Sequence, residues 1–266
     1  MRAVISELHG VDEMRELERL FADIWERPGE PPLNSGTLRA LAHAGNYVVG
    51  ARERGGRLVG GLVGWFGGLP PGELHLHSHI LGVAPGSQVG GLGFELKQHQ
   101  RGWCLERGVK LVEWTFDPLV RRNAYFNLTK LGAEARGYLV NFYGTMTDGI
   151  NAGEESDRLL ISWRLDSGRA RDAADGRLAE PAVEELLLRD AAIVLSVGQA
   201  QEPVAGKLGT PVVLCQVPAD IVALRRSDAG AARAWRLAVR KALTSAFAVG
   251  YEMSGATRSG WYVLSR

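Results

Sequence analysis

The sequence has little of several features that identify whole classes of proteins. Only two cysteines are present, Cys104 and Cys215, and neither has another Cys or His at metal-ligand spacing, which excludes a disulfide framework and gives no indication of a zinc site. The longest apolar run, residues 58–71, is shorter than the roughly 20 residues of a membrane span. The net charge is +1 without a basic stripe, which argues against a nucleic-acid partner. We therefore expect no membrane, no nucleic acid and a small soluble partner.

The ends and breaks of the chain indicate how it is organised. The N-terminal residues MRAVISELHGVDEMRELERL are charged throughout and lack the apolar core of a signal peptide, so we expect a cytoplasmic protein. At 266 residues, the chain is longer than one average domain. A charged stretch rich in small residues at 166–180 shows no apolar periodicity and is interpreted as a linker. The sequence thus predicts a full domain at 1–165 and a smaller α/β lobe at 181–266.

Hydrophobic periodicity divides the chain into an ordered series of helices and strands. In the first domain, this periodicity predicts the following elements in order: a strand, two helices, a strand hairpin, a third strand, a long helix at about 88–107, a strand at 109–117, a short helix and two further strands. The fold class is α/β (α+β), with a mixed, mostly antiparallel sheet flanked by helices. The lobe predicts two strands, a long helix and a closing hairpin. The series of a strand, a helix, a glycine and two strands at 211–266 repeats the series at 109–165, so a degenerate half-repeat of the first domain is one interpretation of the lobe.

The stretch GVAPGSQVGGLGFELKQHQ, residues 82–100, crowds glycines between a predicted strand and a predicted helix. Glycine at this density costs chain entropy. A loop at a helix start points unpaired backbone N–H groups and the positive end of the helix dipole at one spot, which suits an anion. Because Gly90, Gly91 and Gly93 have no side chains, we expect a diphosphate to sit against these N–H groups. A tight turn needed only for packing is the alternative.

Three phosphate-binding motifs compete for this loop. A P-loop is excluded, because Phe94 and Glu95 stand where Lys and Ser or Thr are required. A dinucleotide fingerprint lacks its third glycine, since Leu96 stands there, although Glu113 lies at the distance this motif requires. The third motif is Gln or Arg, two residues, Gly, one residue, and then Gly or Ala.

Gln88, Gly91 and Gly93 satisfy the third motif, which resembles the acyl-CoA-binding loop of the GNAT superfamily of N-acyltransferases. The order of elements from about residue 3 to residue 165 is similar to the GNAT fold. The stretch WTFDPLVRRNAYFNLTKLGA, followed by NFYG and SDRLLISW, resembles the two-lobed proteins known as predicted GNAT acetyltransferases. The resemblance implies acetyl-CoA or another acyl-CoA as co-substrate and no metal.

The resemblance also places the co-substrate on particular residues. The pantetheine arm is expected along the strand end at Ile80–Val83, where this strand splays from strand 109–117. Asn123 occupies a position from which many members bond the arm. The full set of residues assigned to the co-substrate is Leu81, Val83, Gln88, Val89, Gly90, Gly91, Leu92, Gly93, Asn123 and Phe126.

Three histidines, His75, His77 and His79, alternate along the third predicted strand and share one of its faces. An imidazole titrates near neutrality and suits proton removal from an ammonium substrate. The arylalkylamine N-acetyltransferases, which are GNAT members, carry a His-x-His on this strand, and counting back from Val83 matches it to His77 and His79. We predict His79 as the catalytic base and His77 as second choice. Partly buried histidines bonded to backbone, or a metal site on alternate histidines, are the alternatives.

The sequence indicates the general acid and the acceptor site less clearly than it indicates the co-substrate loop. In many GNAT enzymes, a tyrosine two residues before the lysine of KLG protonates the departing thiolate, but Leu128 stands there. We choose Tyr143 as the acid, while a reaction without a dedicated acid is the alternative. Asp117, Asp157 and Arg158 are predicted near the acceptor, where an arginine can clamp a carboxylate. Asp157 and Arg158 are equally interpreted as braces of the loop before the last strand.

These features predict an acyl-CoA-dependent N-acyltransferase. It would transfer an acetyl group, or a larger one such as succinyl, directly to the amine of a small molecule or an amino acid. The rival hypothesis is a non-catalytic acyl-CoA sensor or scaffold of the GNAT fold, which the missing helix tyrosine keeps open. The C-terminal lobe is expected either to cap the acceptor site or to form a homodimer.

Overall fold

The computed structural model of the chain describes residues 3–27, 30–68, 71–87, 90–144 and 155–266. Contacts divide the chain into two compact units. The first runs up to Trp114 and includes Arg164–Asp166, and the second comprises Thr115–Trp163 and Ser167–Arg266. The predicted boundary at 166–180 stays a prediction, and the contacts place the change of unit earlier, at residue 115.

The first unit is built on one sheet. Its strands are β1 (Val4–Glu7), β2 (Tyr47–Arg52), β3 (Leu58–Gly67), β4 (His75–Val83) and the start of β5 (Leu111–Phe116), and its helices are α1 (Val11–Ile24), α2 (Ser35–His43) and α3 (Leu92–Glu106). The strands lie in sequence order from β1 to β5. The pairs up to β4 are antiparallel, and β4 pairs with β5 in parallel. These bounds confirm the predicted mixed, mostly antiparallel sheet.

Helix α1 packs on one face of this sheet. Met14, Leu17 and Phe21 recur at three and four residues, are buried and share a core with Ile80 of β4. Full burial of such side chains contributes roughly 1.5–3 kcal/mol each. Gly61 lets the helix approach closely, because a Cβ at this position would collide with the Leu17 side chain. This core fixes which face of β3 and β4 lies under α1.

Strand β4 contains a β-bulge. Val63 of β3 pairs with Ile80, and Gly64 pairs with Ser78, so His79 is the extra residue on β4. A bulge re-aims a side chain and interrupts the alternation of faces. The strict alternation predicted for this strand therefore ends at His79, and Ile80 lies on the α1 face although it follows His79 directly.

Strands β4 and β5 form a fork. Within the described part of the first unit, their pairing comprises Leu76 with Val112 and His77 with Glu113. Strand β4 then continues to Val83, towards the glycine loop. Neighbouring parallel strands that stop pairing leave an opening between them, and in this chain its apex lies next to Ser78 and Trp114.

The second unit contains the later strands of the chain. It contains β6 (Glu134–Leu139), β7 (Arg158–Arg164), β8 (Ala192–Val197), β9 (Pro203–Ala205), β10 (Val212–Gln216), β11 (Glu252–Ala256) and β12 (Trp261–Ser265), and the helices α4 (Arg121–Ala124), α5 (Gly168–Ala174), α6 (Val183–Leu188), α7 (Ile221–Ser227) and α8 (Ala229–Ala248). The strand order is β7-β6-β11-β12-β10-β8-β9. Two antiparallel hairpins, β6–β7 and β11–β12, thus lie side by side, joined where Ala135 pairs with Met253.

Three local details differ from the predicted elements. Helix α3 begins at Leu92 and not near 88, because Gly91 adopts a left-handed conformation as its N-cap. A π-helical turn, Tyr125–Lys130, follows α4 where one regular helix was predicted. Helix α5 lies inside the predicted linker, where the Ser167 side chain caps it. None of the helices in the described ranges is both long and apolar enough to cross a membrane.

Candidate functional site

The glycine loop leads directly into the start of helix α3. Gly90 and Gly91 have φ values of 121° and 85°, a conformation that favours glycine. The N–H groups of Phe94 and Glu95 donate to the Gly91 carbonyl, and no side chain of the described residues caps α3. Within the part of the chain that the structure describes, a Cβ at Gly90 or Gly91 would meet no atom within 4 Å. The loop therefore presents backbone with open space beside it, which suits an anion at the positive end of α3.

The other predicted loop residues serve different purposes. A Cβ at Gly93 would lie 3.7 Å from Leu81 Cδ2, an ordinary contact, and the φ of Gly93 is not positive. The protein itself therefore has room for a side chain at position 93. Leu92 is buried, so it can offer a ligand only its backbone. Gln88 and Val89 lie outside the described residues.

The three histidines of β4 have different partners. The His75 Nε2 atom lies 3.6 Å from Glu113 Oε2, which gives this ring a partner on β5. The rings of His77 and His79 pack on Trp65, with centroid distances of 5.1 and 4.4 Å. His79 is the most exposed of the three. Its position on the bulge and its exposure favour it over His77 for contact with a substrate.

Both Trp65-packed histidines are neutral at pH 7. Burial, and then the charges of His75 and Lys97, lower the pKa of His77. Desolvation of the ring, and then the charge of His77, lower the pKa of His79 to about 4, although the residue keeps more than a third of its surface open to solvent. A neutral imidazole retains one nitrogen that accepts a hydrogen bond or a proton.

Asp117 lies in the second unit and is buried among arginines. Its carboxylate accepts hydrogen bonds from Arg225 at 2.5 Å, from Arg236 at 2.9 and 3.3 Å, and from the Leu119 N–H at 3.0 Å. Burial alone raises the pKa of Asp117, but the charges of Arg236 and Arg225 outweigh it and bring the pKa down to about 2. These partners engage both oxygens, which favours a structural role over the predicted contact with an acceptor.

Asp157 is also fully buried. It accepts hydrogen bonds from the Tyr138 hydroxyl at 2.6 Å, from the Asn141 N–H at 3.0 Å, and from Arg240 at 2.7 and 2.8 Å. Arg158 donates to the Asp157 carbonyl at 2.9 Å. These bonds join residues on both sides of the β6–β7 connection. The geometry therefore supports the interpretation of Asp157 and Arg158 as braces of that loop, and their contact with an acceptor stays a prediction.

Tyr143 and the helix after β5 complete the predicted residues. The Tyr143 hydroxyl lies 3.4 Å from Thr115 Oγ1 at the end of β5, and 48% of the residue is exposed, so its hydroxyl can reach a ligand. Leu128, at the position of the usual acid, is buried. Asn123 and Phe126 are partly buried. The roles predicted for Tyr143, Asn123 and Phe126 are not tested by this geometry.

Comparison with known proteins identifies the N-terminal part of the chain. Residues 11–132 match the family model of the acetyltransferase (GNAT) family. The chain carries a GNAT acetyltransferase domain. The glycine loop, α3, the histidines of β4 and the β4–β5 fork all fall within the matched residues. No curated protein sequence matches the chain.

Two solved acetyltransferase structures are similar to part of the chain. A phosphinothricin acetyltransferase from Sinorhizobium meliloti, solved with acetyl-CoA, is 14% identical, with a TM-score of 0.50, over 61% of this chain and 88% of its own. The ribosomal-protein-S18-alanine N-acetyltransferase from Escherichia coli is 17% identical, with a TM-score of 0.47, over 62% and 96%. At 14% identity, the likeness to the Sinorhizobium meliloti enzyme shows the fold alone.

The GNAT domain also holds a buried charge that sequence reasoning missed. Lys97 of α3 is 3% exposed and donates hydrogen bonds to Ser78 Oγ at 2.8 Å and to Gln100 Oε1 at 3.1 Å. A signal for it exists in the sequence, because Lys97, Gln100 and Cys104 recur at three and four residues and so share one face of α3. That face is the buried one.

A metal site on the histidines was one of the alternatives. Among the described residues, no group of three or more His, Cys, Asp or Glu side chains is placed to hold a metal ion. The site residues of the first unit thus consist of an anion-binding helix start, a forked pair of strands, a neutral histidine on a bulge and a buried lysine.

Proposed function

We propose that the protein is an acyl-CoA-dependent N-acyltransferase. It moves an acetyl group, or a larger one such as succinyl, from a CoA thioester to the amine of a small molecule or an amino acid. The observation that carries this proposal is the uncapped start of α3 behind Gly90 and Gly91, at the open end of the fork within a GNAT acetyltransferase domain. The resemblance to the two-lobed acetyltransferases supports the choice of a small acceptor.

The loop suits the diphosphate of CoA. The first N–H groups of a helix have no partner within the helix, and the helix dipole favours negative charge there. The outer half of β4, from Ser78 to Val83, leads from this point to the fork and offers its edge to the pantetheine arm. The thioester is thereby expected at the apex, next to the bulge.

The transfer needs a free amine and a place for its proton. The amine nitrogen attacks the thioester carbonyl, the nitrogen loses a proton, and the C–S bond breaks as the thiolate leaves. His79 is neutral at pH 7 because its pKa is about 4, so its ring accepts a proton from the attacking nitrogen. The sequence predicts Tyr143 as the acid that protonates the thiolate, and 48% of this residue is exposed.

Replacing Gly93 by valine tests the CoA site. We expect the affinity for CoA, measured by calorimetry, to fall at least tenfold, because a branched side chain would stand beside the N–H groups that hold the diphosphate. The stability of the fold should change little, since the nearest atom to a Cβ at position 93 is 3.7 Å away. Gly91→Val is a poorer test, because the φ of 85° at Gly91 strains any side chain.

Two matched variants control this experiment. Gly93→Ala introduces the other residue that the motif allows at this position, and the variant should bind CoA nearly as the wild type does. Gly102→Val makes the same change on an exposed position of α3, away from the loop, and should leave the affinity unaltered. Wild-type affinity in Gly93→Val would overturn the CoA assignment of the loop.

Replacing His79 by glutamine tests the base. We expect kcat/KM to fall about 100-fold both near pH 7 and at high pH, because the nitrogen that attacks the thioester must lose its proton at either pH. The histidine should add no inflection of its own between pH 6 and 9, because its pKa lies near 4. The measurement is the pH profile of acceptor-dependent thiol release, with His43→Gln, on the exposed end of α2, as control. Superimposable profiles of variant and wild type would remove His79 from the mechanism.

One assay separates the enzyme from the non-catalytic alternative. The purified protein is offered acetyl-CoA and succinyl-CoA with pooled amines and amino acids, and free thiol is followed. Tight CoA binding without acceptor-dependent thiol release would favour a sensor, which the burial of Leu128 at the position of the usual acid also supports.

A further inference from the structure

A buried ammonium group lies at the apex of the β4–β5 fork. The last residues that pair across the fork are His77 and Glu113, and the next residues on the two strands are Ser78 and Trp114. Lys97 Nζ touches both of these, donating to Ser78 Oγ at 2.8 Å and lying 3.8 Å from the centroid of the Trp114 ring. The lysine of α3 thus contacts each strand at the first position where the two diverge.

Packing alone gives no reason for a lysine in this place. Burying a charged group carries a cost of several kcal/mol that an apolar side chain of similar size does not have. The cost is visible in the pKa of Lys97, which burial lowers to about 7, against a smaller opposing effect from Cys104. Two of the groups that its ammonium contacts, Ser78 and Gln100, are neutral. Strongly perturbed groups of this kind cluster at functional sites.

The lysine and the predicted base lie on opposite faces of β4. Neighbouring residues on a strand point to opposite faces, and Ser78 faces α3 through its bond to Lys97. His79 packs on Trp65, and the bulge keeps it on the face that Ile80 shares with α1. A proton can therefore be taken up on one face of the fork and delivered on the other.

The distance from the glycine loop fits a thioester at this apex. From Val83 to Ser78 the strand rises about 3.3 Å per residue, which is roughly 16 Å in all. An extended pantetheine arm, which joins the diphosphate of CoA to its sulfur, is of comparable length. An arm that lies along β4 from the loop would bring its sulfur close to Ser78.

We propose that Lys97 donates the proton to the departing sulfur of CoA. This inference rests on the proposed function, and it gives Lys97 the role that the sequence predicts for Tyr143. As the C–S bond of the thioester breaks, its electron pair stays on sulfur, and the thiolate takes a proton from the Lys97 ammonium. The amine nitrogen has lost one proton on the other face, so the products are the amide and free CoA thiol. The lysine then regains its proton from solvent.

The titration of the CoA thiol on the protein tests this role without knowledge of the acceptor. The thiolate absorbs ultraviolet light, so its fraction can be followed with pH for CoA bound to the wild type, Lys97→Met and Lys97→Arg. In the wild type, we expect the ammonium to lower the pKa of the bound thiol by roughly one to two units relative to free CoA. In Lys97→Met, this shift should disappear. Lys97→Arg should keep the shift, because its charge remains, yet lose turnover, because arginine does not give up its proton.

Controls keep the two proposals apart. Lys110→Met makes the same change at an exposed lysine of the same unit and should leave the bound thiol as in the wild type. Lys97→Met should still bind CoA, since the loop is untouched, and thermal unfolding verifies that it is folded. Equal thiol pKa values in wild type and folded Lys97→Met would overturn the role of Lys97 while the proposed function stands. Absence of CoA binding in the wild type would overturn both.

Discussion

Replacing Asp117 by asparagine is expected to lower the free energy of unfolding by about 3 kcal/mol. The substitution keeps the shape of the side chain but leaves Arg225 and Arg236 buried beside a neutral amide. Removing one partner of a buried ion pair costs far more than the pair itself contributes, because the remaining charge loses its compensation. Chemical denaturation at pH 7 measures the change.

The pH dependence of the free energy of unfolding is a second measurement that tests the role of Asp117. The folded pKa of Asp117 is about 2, below the ordinary value of 3.8, so the unfolded chain binds the proton more readily than the folded chain. The stabilisation is therefore present above about pH 4 and is lost as the pH falls towards 2. Acid unfolding of the asparagine variant should lack this component.

An exposed carboxylate in the same unit is the control for Asp117. Asp172 pairs with Arg177 on the surface, where ion pairs contribute little, so Asp172→Asn should leave the unfolding curve nearly unchanged. If Asp117→Asn were as stable as Asp172→Asn, the carboxylate would not hold the two arginines in solution, and a role at the acceptor site would regain support.

Replacing Lys97 by methionine is expected to raise the free energy of unfolding at pH 7 by on the order of 3 kcal/mol. Methionine fills a similar volume and removes a charge whose burial is costly. A loss of turnover that accompanies a gain in stability is typical of a group retained for chemistry.

The gain should depend on pH with a definite sign. The unfolded lysine titrates near pH 10.4, whereas the folded pKa is about 7. Between these values the unfolded chain binds more protons, so the wild type becomes more stable as the pH rises, and its difference from the variant shrinks. Unfolding of both proteins at pH 7 and pH 9.5 measures the trend, with Lys110→Met as control. A difference that stays constant with pH would show that Lys97 titrates normally in the folded protein.

The glycine loop could be predicted because its signal is local. Positive φ at Gly90 and Gly91, and a helix that starts directly after them, follow from residues adjacent in the chain. The predicted α3 start near 88 was early, because the helix pattern does not reveal that Gly91 is the N-cap. The order of the strands was equally accessible from their alternation.

The bulge at His79 could not be predicted, because it depends on the register of β3 against β4. Alternation alone placed the three histidines on one face, but gave no reason why Ile80 shares the face of His79. The partners of Asp117 and Asp157 could not be predicted for a related reason. Their arginine partners lie about 100 residues further along the chain, on α7 and α8. A local sequence pattern does not predict a pairing over such a separation.

Lys97 is a third feature that the sequence alone could not predict. Its spacing to Gln100 and Cys104 places it on the buried face of α3, but a lysine is ordinarily expected to reach water. Its hydrogen bonds to Ser78 and Gln100 and its position over the Trp114 ring accommodate the ammonium, and these contacts depend on the tertiary structure. Polar residues on an otherwise buried helix face therefore merit inspection as candidate site residues.

The arginines around Asp117 also make the first and last parts of the second unit depend on each other. Asp117 lies directly after β5, whereas Arg225 and Arg236 belong to α7 and α8. A chain truncated before α7 would lose both of these partners of the Asp117 carboxylate. We therefore expect such a truncation to destabilise the rest of the second unit.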